Sequence, residues 1–508
     1  MAEKQMAEPI RKIVIVGGGT AGWMTAASLI RYAEGKSIAV SLIESSKIPT
    51  IGVGEATIPN IVQFNRNLGI DEIEFVKATQ ATFKLGIQFE NWHQQGQQFF
   101  HPFADYGLKI DQVDFHQYLH RLKASGISTN LEDYCFPAVL ARYDKFAQPH
   151  PNPASPLADY SYAYHFDAGL YANFLRDFSV KLGVEHIDAE VKHTQLHPNT
   201  GFIKSLLLDN GMEIHGDLFI DCSGFKGLLI EQALETGYEY WNEWLLCDAA
   251  VAVQSERAQA PHPYTRAIAM SAGWQWRIPL QHRSGNGYIY SSQFETDANA
   301  QQTLLETIEG KAVNQPRKII FHPGRRKKIW HKNCFAIGLS SGFLEPLEST
   351  SISLIQTAIA KLLTFFPDQS FNEHDIAEVN RLHHRELENI RDFLILHYKL
   401  TQRDDSPFWR YCKEMAIPDS LAHKIDVYKS RGHIVMLDNE SFKESSWLAM
   451  YNGFHITPQR FDVRAGAVEP TLIKQKLDQM SHSIDKAAQQ AMSHDQFIKM
   501  HCPAAIAR

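Results

Sequence analysis

The run Lys12-Ile-Val-Ile-Val-Gly-Gly-Gly-Thr-Ala-Gly22 constrains this chain more than any other stretch. Ile13, Val14, Ile15 and Val16 are consecutive apolar β-formers that lead into Gly17, Gly19 and Gly22, the pattern of a buried strand, a glycine turn and a helix. Gly17 permits the tight turn, Gly19 lets a pyrophosphate come close to the backbone, and Gly22 lets the helix pack on the strand. Thr20 and Ala21 fall in the first helical turn, where unpaired N–H groups and a partial positive charge favour phosphate. Trp23, Ala26, Ala27, Leu29 and Ile30 give that helix an apolar face. The next apolar run, from Ile38 to Ile43, ends on Glu44, whose carboxylate can accept hydrogen bonds from a ribose. Strand, turn, helix and acidic residue together predict a dinucleotide-binding βαβ unit.

With 508 residues, the chain is long enough for two domains or one large elaborated one. A hydrophobic fraction of 44% with 21% charged residues is that of a water-soluble globular protein. The net charge of −7 argues against nucleic acid or an anionic membrane as the main partner. Cys135, Cys222, Cys247, Cys334, Cys412 and Cys502 are scattered without a C-x-x-C pair, which argues for reduced thiols, no metal site and a cytoplasmic location. No apolar run reaches the length of a membrane span, and the polar N-terminus does not read as a signal peptide.

Along the chain, Lys47 to Pro59 holds two glycines and two prolines, an irregular loop beside the nucleotide site. Asn60–Leu68 and Asp71–Phe83 read as helices, Lys84–Trp92 and Phe99–Phe103 as strands, and the Pro-rich run from Gln148 to Pro156 as a surface connection. Tyr164–Arg176 reads as a strand entering a helix. Val191–Ile220 predicts a hairpin turning at Asn210-Gly211. Leu218–Phe225 and Cys334–Gly338 read as further strands ending on glycine. An antiparallel sheet is expected within Asp248–Phe294, and a helix over Ser351–Phe366. From Asn372 onward the apolar spacing is helical, as in Ile376–Leu400 and Glu469–Met492. The expected class is α/β with α+β elements: a Rossmann-like nucleotide domain over residues 1–370 with an inserted antiparallel substrate sheet, then a mostly helical capping region over 371–508.

The string Gly273-Trp-Gln-Trp-Arg-Ile-Pro-Leu280 narrows the choice. Its W-x-W-x-I-P pattern, at Trp274, Trp276, Ile278 and Pro279, resembles the signature of the flavin-dependent halogenases, the group that includes the tryptophan halogenases. The resemblance runs over nearly the whole chain. It takes in the glycine turn, Gly52–Pro59, Phe83-Lys-Leu-Gly-Ile-Gln-Phe-Glu-Asn-Trp92, His165–Ala168, Asp221–Phe225 and Phe343-Leu-Glu-Pro-Leu-Glu-Ser-Thr350. It implies a flavin-monooxygenase-like fold and FAD held by Gly17, Gly19, Thr20, Ala21, Gly22, Glu44, Gly54, Glu55, Ala56 and Gly338. It also implies O2 and a halide as co-substrates, and reduced FAD from a separate NAD(P)H-dependent flavin reductase, no second dinucleotide fingerprint being present.

In that family the tryptophan string is a wall keeping the organic substrate away from the flavin. On the residues alone, Trp274 and Trp276 share one strand face, which suits a core stripe equally. Lys84, between Phe83 and Leu85, is either a snorkelling edge residue or a desolvated amine; the resemblance makes it the active-site lysine that holds or captures hypohalous acid. Glu348 is either a helix-terminal carboxylate or, by resemblance, the catalytic base, with Ser349 as a hydrogen-bond donor beside it. Thr350 and Ser351 match a backbone halide site at a helix N-terminus, Ser351 standing where the tryptophan-specific enzymes have glycine. His101 and Phe103 match a pocket-lining H-x-F segment. The Tyr-Tyr-Glu cluster that grips the amino-acid part of tryptophan is missing from Ser445–Phe454. The expected substrate is therefore an indole or other electron-rich arene without that head, or a larger peptide-like or alkaloid molecule, with Trp447, Tyr451 and Phe454 finishing the pocket or the core. A direct arene hydroxylase and a catalytically silent flavoprotein are the competing readings, and the sequence leaves monomer and homodimer open.

Overall fold

The computed structural model describes residues 8–48, 54–152, 155 and 157–504. The expected loop at Lys47–Pro59 and the Pro-rich run lie partly outside them, at 49–53 and at 153, 154 and 156. Lys12–Val16 sits inside a sheet whose order is Trp330–His331, Cys334–Ala336, Leu218–Asp221, Lys12–Val16, Ala39–Glu44, Glu185–Asp188. It pairs in parallel with Leu218–Asp221 on one side and Ala39–Glu44 on the other. Helix Thr20–Ala33 covers one face, so Ile13, Val14 and Ile15 are fully buried, and continuous apolar runs rather than alternation are what such a strand needs.

A second sheet runs in the order Arg317–Ile320, Ala249–Glu256, Arg283–Tyr290, Gly273–Pro279, Thr265–Ala269, Gly86–Glu90, Gln98–Pro102. Its pairs are antiparallel except Thr265–Ala269 with Gly86–Glu90. Tryptophan strand and His101 strand thus belong to one surface. A small sheet links it to the nucleotide side: Ala163–Asp167 lies between Gly54–Ala56 and Thr82–Lys84, antiparallel to both. Over all this lies the helix Glu373–Lys399, buried from Ile390 to Tyr398 near its C-terminal end.

The expected α/β class is the observed one, with three local corrections. The predicted helix Asp71–Phe83 stops at Ala78. Gln80 takes a left-handed φ of 56°, and Thr82 and Phe83, good strand formers, turn into the ladder with Ala163–Asp167. The single strand expected at Lys84–Trp92 is broken at Leu85, whose N–H leaves the ladder to donate to the Pro263 carbonyl at 2.7 Å. Val191–Ile220 is a meander of Val191–Leu196, Ile203–Leu208 and Glu213–His215; Gly211, at φ 84°, makes its second turn, and Leu218–Asp221 leaves for the parallel sheet.

Candidate active site

At the first strand's end, Gly17 has φ 111°, a conformation that only glycine adopts cheaply. A Cβ on Gly22 would stand 1.8 Å from the Gly17 carbonyl oxygen, and one on Gly18 1.6 Å from a Glu44 carboxylate oxygen, yet at Gly19 it would meet nothing within 4 Å. The turn is closed against the protein and open at the one glycine where a pyrophosphate would approach. Helix Thr20–Ala33 starts there with no side-chain cap, leaving first-turn N–H groups for a ligand. Ala21 packs on Gly338, where a Cβ would stand 2.8 Å from its methyl. Glu44 ends its strand and bonds His186 Nε2 at 2.9 Å. Gly54, Glu55 and Ala56 form one strand of the linking sheet, and burial pushes the Glu55 carboxyl up to about 7. These residues fit a dinucleotide.

Lys84 is fully buried at the end of Thr82–Lys84. Its Nζ donates to the Thr57 carbonyl at 3.0 Å and to Ser349 Oγ at 2.8 Å, 5.2 Å from the centre of the Phe103 ring. Ser349 therefore accepts from the lysine. It holds a left-handed φ of 60°, strained for a non-glycine residue. Burial drives the Lys84 amine down to about 7, the Glu348 carboxylate opposing. The strand is pinned from behind: the Phe83 N–H donates to buried His494 Nε2 at 3.1 Å, while Thr82 Oγ1 donates to the Pro279 carbonyl at 2.6 Å and contacts His165 Nδ1 at 3.0 Å.

Glu348 is 1% exposed and lies on the turn Pro346–Glu348. One carboxylate oxygen meets His101 Nδ1 at 2.9 Å, the other His397 Nε2 at 2.7 Å. Burial alone would raise this carboxyl, but the two histidines outweigh it and hold it near 2. His397 Nδ1 must itself donate, because its partner, 2.7 Å away, is the Phe393 carbonyl. With Glu348 ionised, both ring nitrogens of His397 are therefore donors.

Thr350, whose buried Oγ1 has no partner, and Ser351 begin the helix Ser351–Thr364, whose first-turn N–H groups have no side-chain cap. Trp274 and Trp276 are both buried, with ring centres 6.2 Å apart. Trp274 donates its indole N–H to Glu345 at 2.7 Å. Trp447 lies 5.0 Å from the Phe393 ring, which is 5.1 Å from His397 and 6.1 Å from His101. Phe454 reaches His397 at 6.4 Å. Tyr451 instead stacks on Tyr428 at 3.9 Å.

The family model for tryptophan halogenase matches residues 12–470. This chain belongs to the tryptophan halogenase family. Tryptophan 7-halogenase RebH of Lentzea aerocolonigenes is 39% identical to it, over 84% of this chain and 83% of RebH. Among solved structures, the flavin-dependent halogenase BrvH from Brevundimonas sp. BAL3 is 46% identical with a TM-score of 0.94, covering 97% of this chain and 99% of BrvH. Xcc4156 from Xanthomonas campestris, also a flavin-dependent halogenase, is 44% identical with a TM-score of 0.95, covering 98% and 100%. Membership brings flavin-dependent halogenation of an aromatic substrate, with FAD and halide. Among the described residues no helix is long and apolar enough to cross a membrane.

The sequence reading did not single out His397, Tyr398 or His494. His397 and Tyr398 end the apolar run Phe393-Leu-Ile-Leu-His-Tyr398, and a histidine on a helix stretch with no polar face is the signal that was available. His494 lies beyond residue 470, where the family pattern stops, and nothing local marks it.

Proposed function

We propose that this halogenase works through two stations, and the observation that carries the reading is the buried Lys84–Ser349 and Glu348–histidine constellation. FAD would be held at the glycine turn by Gly17, Gly19, Thr20, Ala21, Gly22 and Glu44, with Gly54, Glu55, Ala56 and Gly338 around it, and a separate NAD(P)H-dependent reductase would supply it reduced. Bound and reduced, FAD with O2 supplies the oxidising equivalents that turn halide into hypohalous acid. The N–H groups at Thr350 and Ser351 hold the halide. Trp274, Trp276 and Pro279 keep the arene on the Lys84 side.

Lys84 receives the hypohalous acid, as an ammonium that donates to its oxygen or as an amine that accepts the halogen. The carbon–halogen bond forms either as the halogen leaves oxygen, the hydroxide released taking up a proton to give water, or as it leaves the Lys84 nitrogen, which takes up a proton to become an amine again, water having been lost when the nitrogen–halogen bond formed. Glu348 removes the proton from the arenium carbon as general base. His101 and His397 hold that carboxylate ionised. His101, Phe103 and Trp447 line the arene pocket, Phe454 and Tyr451 standing behind it. Because the amino-acid-gripping cluster is missing from Ser445–Phe454, the substrate is an indole-type arene rather than free tryptophan, although RebH is named for tryptophan. We take residues 371–508 as the capping region over a 1–370 FAD unit, in a cytoplasmic enzyme.

The test is halogenation of indole, phenols and tryptophan with FAD, a flavin reductase and chloride or bromide, read by mass spectrometry. The reading predicts brominated or chlorinated indole and loss of that product in Lys84→Ala with FAD binding intact. Hydroxylated indole, or undiminished halogenation by Lys84→Ala, refutes it.

A further inference from the structure

The turn Glu345-Pro-Leu-Glu348 carries two buried glutamates, and only Glu348 has a part in the chemistry above. Glu345 is fully buried. One of its oxygens accepts two hydrogen bonds, from the Trp274 indole N–H at 2.7 Å and the Tyr398 hydroxyl at 2.6 Å. Its other oxygen, also buried, has no partner. A buried carboxyl with half its capacity unused is costly, so its retention calls for a return elsewhere.

The connections of Glu345 supply one. Trp274 belongs to the tryptophan string, and Tyr398 follows His397, the residue that holds Glu348. Neighbouring side chains of one helix therefore grip the two glutamates of one turn. Tyr398 is itself fixed, with its ring 5.4 Å from Trp92 and stacked on Trp409 at 6.0 Å. The two tryptophans are held by different means. Trp276 has an unpartnered indole N–H and is set by shape, its ring pressed on Gly287, where a Cβ would stand 2.0 Å away. Trp274 flanks it, and Glu345 takes its polar end.

We propose that Glu345 is a positioning residue: it fixes the orientation of Trp274 and ties the tryptophan wall to the turn and helix that hold Glu348, so that oxidant made on the FAD side stays in the protein until it meets the arene. The proposal rests on the two-station reading above. Burial raises the Glu345 carboxyl to about 7, its two donors pulling the other way, so a neutral amide is a fair replacement. In Glu345→Gln the amide oxygen can still accept from Trp274 and Tyr398. In Glu345→Leu neither donor has a partner.

Two measurements test this. The first needs no turnover: unfolding of wild type, Glu345→Leu, Trp274→Phe and the double variant forms a cycle. Trp274→Phe keeps an aromatic ring but removes the indole donor and part of the ring volume; the cycle subtracts the volume term, so the losses should be non-additive by about tenfold in the unfolding constant. Additive losses overturn the clasp whatever the enzyme's reaction. The second reads leakage, with indole, bromide, FAD, a flavin reductase, catalase and monochlorodimedone, which traps free hypobromous acid. Glu345→Leu and Trp274→Phe should shift bromine from indole to the trap by about tenfold or more, as expected for loss of one hydrogen bond to a buried carboxyl; Glu345→Gln should stay within about twofold of wild type. A Glu345→Leu enzyme that brominates indole as wild type does, without leakage, refutes the role. Wild-type protein that halogenates neither probe refutes the two-station reading instead, while the unfolding cycle still decides the clasp.

Discussion

His397→Phe should slow halogenation and weaken the fold through the same lost hydrogen bond. Phenylalanine keeps a ring where Phe393 and Phe89 lie 5.1 Å from the imidazole, but removes the proton aimed at Glu348 Oε1. Glu348 sits near 2 against an ordinary 4.5, a difference worth about 3 kcal/mol. His397 is one of its two histidine donors, and a hydrogen bond to a buried charge is worth roughly 1.5–3 kcal/mol. The chemical step should therefore fall about tenfold to a hundredfold. The sign for stability follows from the depressed folded value. Glu348 stabilises the native state above the unfolded value of about 4.5, and that contribution is lost as pH falls toward about 2. In His397→Phe the folded value rises, so less stability is present at neutral pH and acid unfolding begins at higher pH. Single-turnover bromination and urea unfolding between pH 3 and 7, the span around the normal carboxylate range, read both effects. In a Glu348→Gln background the same substitution should cost little. Equal losses in the two backgrounds would refute the clamp.

Glu348→Gln alone should lower turnover by about a hundredfold or more while flavin binding, followed by fluorescence, stays intact. The rate of the chemical step should show an ionisation near pH 7, because burial holds the lysine there; a rise with pH assigns the neutral amine, a fall the ammonium, and a flat profile refutes the assignment. Gly22→Ala should abolish FAD binding in a fluorescence titration, since its Cβ would sit 1.8 Å from the Gly17 carbonyl. Gly287→Ala should cost about 1–3 kcal/mol in urea unfolding, because the new methyl would meet the Trp276 ring at 2.0 Å.

The glycine turn was legible because its physics is local: four apolar residues and three glycines specify strand, turn and helix without help from the rest of the chain. The tryptophan spacing likewise places both indoles on one face. What stayed hidden depends on residues far apart in the chain. Lys84 meets Ser349 across 265 positions and His101 meets Glu348 across 247. The end of the helix begun at Asp71 was misjudged for the same reason. Thr82 and Phe83 continue a plausible apolar pattern, and only the strand Ala163–Asp167, supplied from elsewhere, makes them a ladder. His397 required a tertiary partner to stand out among 24 histidines.

The paired glutamates show how one short turn yields two chemistries. Glu345 and Glu348 are three residues apart, both buried, and their carboxyls are driven in opposite directions, up to about 7 and down to about 2. Composition cannot separate them; the donors do. Glu348 faces imidazoles, which can carry positive charge, and so remains a carboxylate able to take a proton. Glu345 faces an indole N–H and a phenol, which only donate weakly, so burial prevails. Such divergence between neighbours is how acid and base roles are divided in enzyme sites. Moving charge from one glutamate to the other would need a change of partner on the helix Glu373–Lys399, not a change on the turn itself. In Tyr398→His, an imidazole beside Glu345 should lower its carboxyl and stabilise its ionised form, and a titration of the carboxyl stretch by difference infrared spectroscopy against Glu345→Gln would read it. An unchanged Glu345 titration would show that burial, not the donor, sets the division.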